Sequence, residues 1–140
     1  MEKRYEQIEH TADLAARIYA EDLPGLFENA AFAMFDMIGK VPKNIPGKQN
    51  CPVEVDGVDR EDLIVNWLNE LLYLFERRRL LFDEFLIKEL DGGHIRGEAR
   101  GYNIDKDNIV VDREIKAATF HDVKIKDTAK GYEVTVVFDI

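Results

Sequence analysis

At Arg79 the hydrophobic period of this chain changes from that of a helix to that of a strand, and it does not change back. Before that point, in "DREDLIVNWLNELLYLFERRR", Ile64, Trp67, Leu68, Leu71, Leu72 and Phe75 make one apolar stripe, widened by Leu63 and Leu74. Asp59, Glu61 and Asp62 crowd the start of this helix and Arg77, Arg78 and Arg79 its end, as the helix dipole favours. So wide a stripe predicts a helix covered on more than one side, by a sheet and by another helix. After Arg79, "LLFDEFLIKEL", a turn at Asp91-Gly92-Gly93 and "HIRGEARGYNI" predict a β-hairpin. "FHDVKIKDTAKGYEVTVVFDI" predicts a second hairpin, turning near Lys130-Gly131, with His121 near the start of its first strand.

The first half adds the remaining elements. Leu14, Ala16, Ile18 and Ala20 alternate with Ala15, Arg17, Tyr19 and Glu21, which predicts a strand, with another before it, broken at "HTAD". "DLPGLFENAAFAMFDMIGK" carries one helical stripe, capped by Asp22, with Pro24 in its first turn and Gly39 at its end. From Val41 to Pro52 three prolines predict a loop, followed by a short strand in "VEVDGVD". The predicted fold class is α+β: a mostly antiparallel sheet with two main helices packed on it, in a single domain over residues 1–140.

Composition narrows the function classes. A domain of this size buries roughly 70% of its unfolded surface, enough for a core without cross-links. Cys51 is alone, so neither an internal disulfide nor a cysteine zinc site is available, and the expected compartment is reducing, the cytoplasm. No leader or membrane span is expected. A formal net charge of −9 argues against RNA or DNA binding by the protein alone, and fits a basic partner, a bound metal or simple solubility.

Few residues carry chemistry. There is no Gly-rich phosphate loop, no nucleophile elbow and no H-E-x-x-H. In "HTAD", Asp13 reads either as a polar bend or as a carboxylate ligand at the mouth of a sheet. Lys116, between Ile115 and Ala117, either snorkels or is poised toward a site. In "YEVTVVFDI", Val134, Val136 and Phe138 face one way and Glu133, Thr135, Val137 and Asp139 the other. Asp139 and the carboxylate of Ile140 are either a solvated end or an oxygen-only pair suited to a hard cation. His10 and His121 are weaker candidates, as metal neighbours or as the general base of a metal-dependent hydrolase.

"YEQIEHTADLAARIYAEDLPGLFENAAFAMFDMI", "EDLIVNWLNELLYLFE", "REIKAATFHDVKI" and "VTVVFDI", in that order from about Tyr5 onward, resemble the archease family. Ala15 stands where many members have Gly, Phe120 where Tyr is common, and Gly25 is less typical; none touches an expected ligand. The resemblance implies an accessory protein, not an enzyme. Its partner would be an RtcB-type tRNA-splicing RNA ligase, which joins RNA ends with GTP and manganese through a guanylylated histidine of its own. The archease would promote guanylylation and multiple turnover. The resemblance further implies a divalent cation, calcium first and magnesium or manganese next, held by Asp13, Asp139 and the Ile140 carboxylate. Lys116 would share the activating role with Asp139. The alternative is a chaperone or modulator of other RNA-processing proteins, such as a tRNA methyltransferase.

Overall fold

The computed structural model describes residues 3–10 and 13–140, with the side chains of Glu9 and His10 outside that description. Two antiparallel sheets enclose two helices. In chain order the elements are β1 (Tyr5–His10), β2 (Asp13–Ala20), α1 (Leu23–Ile38), β3 (Gln49–Asp56), α2 (Arg60–Arg78), β4 (Leu80–Leu90), β5 (His94–Asn103), β6 (Ala117–Ala118), β7 (Lys126–Thr128) and β8 (Gly131–Asp139). The larger sheet has the order β1-β2-β8-β6, with β7 also on β8; the smaller has the order β3-β5-β4. The α+β class read from the sequence is the one observed, with the strands divided between two sheets.

The helices begin where the sequence supplies caps. The Asp22 carboxylate accepts from Gly25 N–H at 2.7 Å, and Pro24 falls in the first turn, where its missing N–H is harmless. Asp59 caps α2 in the same way, accepting from Asp62 N–H at 2.8 Å. Arg79 ends α2 in the left-handed region (φ 55°), with its guanidinium on both oxygens of Asp105. The chain enters β4 at the next residue, which is the period change seen in the sequence.

Coverage of α1 exceeds a single stripe. Leu26, Phe27, Ala30, Ala31, Ala33, Met34, Phe35, Met37 and Ile38 are all buried. The reason is its position: α1 packs on β2 and β8 of one sheet and on β4 of the other. α2 lies beside it, against the smaller sheet and β6. Trp67 of α2, fully buried, donates its indole N–H to the Phe27 carbonyl of α1 at 3.0 Å.

Three sequence expectations need correction. The loop placed through Pro52 ends earlier, because β3 already begins at Gln49. Pro52 is tolerated there since β3 is an edge strand and has no ladder to donate to on its outer side. The first strand of the last hairpin is shorter than expected: β7 covers only Lys126–Thr128, and His121 lies in a turn with Asp122 at φ 49° rather than on a strand. Finally, β6 had no counterpart in the sequence reading.

Candidate functional site at the strand ends

Asp13 opens β2 and Asp139 closes β8. The two strands run antiparallel in a register from Leu14↔Phe138 to Ala20↔Tyr132. One further step in that register sets Asp13 opposite Asp139. Facing residues in such a ladder share one side of the sheet, with Cβ atoms about 4.5–5.5 Å apart. Leu14, Ala16 and Ile18, with Val134, Val136 and Phe138, fill the core side, so the two aspartates belong to the other. Asp139 is exposed, Asp13 is half-buried and Ile140 is 45% exposed.

On the far flank of β8 comes β6, pairing Ala118 with Phe138 and Ala117 with Asp139. The Lys116 N–H also reaches the Asp139 carbonyl, at 2.7 Å. Two successive residues thus address Asp139, and this backbone bond ties the entry to β6 to the end of β8. Thr119 secures the next step, giving both its N–H and its hydroxyl to the Val137 carbonyl at 2.9 Å.

The fold therefore brings Asp13, Lys116, Asp139 and Ile140 to one end of the larger sheet. It treats the histidines differently. The backbone of His10 pairs with Asp13 at the end of β1, while its side chain, like Thr11 and Ala12 of "HTAD", lies outside the described residues. His121 is on the exposed loop after β6, with Nε2 3.2 Å from Asp122 Oδ2. Among the described residues no three Asp, Glu, His or Cys side chains gather as a metal cage. Asp13 and Asp139 supply side-chain carboxylates at this end. That donor set has the chemistry for a hard divalent cation and none for a soft one. A cavity of about 560 Å3 at the opposite end of the sheet, lined by Arg4, Tyr19, Asn29, Lys130 and Tyr132 among others, is separate from it.

Sequence reasoning missed Asn69. This α2 residue holds β6 in place through its side-chain amide, accepting from Ala118 N–H at 2.8 Å and donating to Ala118 C=O at 3.0 Å. Nothing in the helical pattern of α2 marks an asparagine whose partner lies 49 residues away.

Fold and strand-end residues together describe a small α+β protein with Asp13, Lys116 and Asp139 at one end of its larger sheet. Comparison with known proteins gives the family. The profile of the Archease protein family matches residues 5–140. The chain is 39% identical over 142 residues to Protein archease of Methanosarcina barkeri, covering 99% of this chain and 97% of that one. It is 40% identical over 132 residues to Protein archease of Pyrococcus furiosus, covering 92% of each. The solution structure of Methanobacterium thermoautotrophicum protein 1598 superimposes with a TM-score of 0.80 at 33% identity, covering 98% of this chain and 99% of that one. The chain belongs to the archease family. Among the described residues, no helix is long and apolar enough to cross a membrane.

Proposed function

We propose that this protein is a metal-binding activator of an RtcB-type tRNA-splicing RNA ligase, acting in the cytoplasm as one domain over residues 1–140. It would promote guanylylation and multiple turnover of the ligase without catalytic activity of its own. The observation that carries the reading is the convergence of the Asp13 and Asp139 strand ends beside Lys116, in a chain of the archease family.

Asp13, Asp139 and the Ile140 carboxylate would hold the cation, calcium first, with magnesium or manganese next. Calcium takes about 6–8 oxygens, more than these groups offer, so water or groups of the ligase complete the shell. When bound, the ion neutralises carboxylates that would otherwise repel each other. Lys116 adds a compact, mobile ammonium charge beside them. It suits orienting a phosphate-bearing group of the ligase reaction. His10 and His121 are not required, because no proton transfer is asked of this protein.

The test is multiple-turnover ligation and guanylylation by the purified ligase, with wild-type, Asp139→Ala and Lys116→Ala proteins. Stimulation should be lost in both variants while their folds persist, and an extension after Ile140 should weaken it. Full stimulation by well-folded Asp139→Ala protein overturns the reading. Suppression of client aggregation that ignores both Asp139→Ala and chelators would favour the chaperone alternative.

A further inference from the structure

Strand β6 has only two residues, Ala117–Ala118, where strands usually have about 3–10. So short a ladder sets its own register weakly, and a slip of one residue would send each side chain to the opposite face. On one flank β6 is held by β8. On the other it meets no strand among the described residues. It meets the amide of Asn69, which presents to Ala118 the donor and acceptor that a neighbouring peptide would. Only one orientation of that amide satisfies both bonds. Asn69 is itself on a rigid base, since Leu68, Leu71 and Leu72 of the same helix are buried. Further along, α2 grips the chain again: Arg60 donates to Ile125 C=O at 3.0 Å and Glu61 accepts from Ile125 N–H at 2.9 Å.

We propose that Asn69 is a positioning residue for Lys116. By fixing Ala118 it sets the register of β6, and with it the bond from Lys116 N–H to the Asp139 carbonyl. Lys116 lies two residues before Ala118 in extended chain, which has little slack to absorb a shift. The inference rests on Lys116 having the activating role proposed above, but its structural half stands alone.

The experiment pairs amide hydrogen exchange with ligase stimulation in Asn69→Leu and Asn69→Asp proteins. In Asn69→Leu, exchange should quicken at Lys116 N–H as well as at Ala118 N–H. Stimulation should fall roughly tenfold or more, the scale of an ångström-level misplacement. Calcium affinity should stay close to wild type, because the cation ligands are on β2 and β8. Asn69→Asp supplies the chemical control, and decides the matter if Asn69→Leu does not fold. Its carboxylate accepts from Ala118 N–H but cannot donate to Ala118 C=O. Protonation restores the donor, so Lys116 protection and stimulation relative to wild type should recover as pH falls. Unchanged Lys116 exchange in the variants overturns the inference, whatever the ligase does. Quickened exchange with stimulation intact, while Lys116→Ala abolishes it, also overturns it. If Lys116→Ala stimulates fully, the proposed function of Lys116 fails instead, and the exchange result still stands.

Discussion

His94 shows how a single residue couples this fold to pH. Its Nδ1 lies 2.6 Å from Asp56 and its Nε2 2.8 Å from Glu54, so both ring nitrogens face carboxylates. The hydrogen bond to Asp56 raises its pKa above the usual histidine value; desolvation opposes this, and the charges of Asp56, Glu54 and Asp91 add to it. A raised folded-state pKa stabilises fully below the unfolded value, about 6.5, and the contribution is lost as pH rises through the folded value. The thermal midpoint of His94→Gln should therefore lie further below wild type at about pH 5.5 than at about pH 8.5. Gly131 is sensitive for a steric reason. It turns β7 into β8 at φ 137°, where a Cβ would collide with the Ala20 carbonyl oxygen. Denaturant unfolding of Gly131→Ala should show a loss of about 1–3 kcal/mol. At this scale the sequence was partly legible. The alternation around Val134, Val136 and Phe138 put Asp139 on the correct face, but no local pattern could put residue 13 across from residue 139. That meeting depends on strand order, and here the family resemblance supplied the expectation.

Among elements, the two helices were the easiest to read, because each carries its own period, cap and stop. Asp22 caps α1 as its position suggested, and Asp59, read only as a charge on the helix dipole, caps α2. The β4–β5 hairpin was as plain, with Gly93 N–H bonded to the Asp91 carboxylate in its turn. β6 was illegible because its reason is tertiary: a side chain of α2 serves as its outer neighbour. Likewise, residues between β6 and β7 alternate like a strand but are held as a loop by Arg60 and Glu61. The contact between helices can be tested directly. Trp67→Phe keeps an aromatic ring but removes the bond to Phe27 and leaves a small void. It should cost about 1–3 kcal/mol in chemical denaturation and leave the α-helical circular dichroism of the folded state unchanged.

For the whole molecule, one apolar cluster extends from Leu14 and Phe138 in one sheet through both helices to Ile95 and Phe82 in the other. The proposed cation site is fastened to that cluster through β2 and β8, so occupancy should register as global stability. At a calcium concentration about 100 times its Kd, wild-type protein should gain about 2.7 kcal/mol, and Asp139→Ala none. Calorimetry with and without chelator measures both. β8 is also an interior strand of the larger sheet, with β2 on one side and β6 and β7 on the other, although it follows the other elements in chain order. During synthesis, at about 5–20 residues per second, β2 must wait for its inner neighbour until both helices and the smaller sheet have been made. Before that moment Asp13 faces no Asp139. An ion shared by those two residues would then report that β8 has docked on β2, and would be withheld from nascent chains that have not yet reached it.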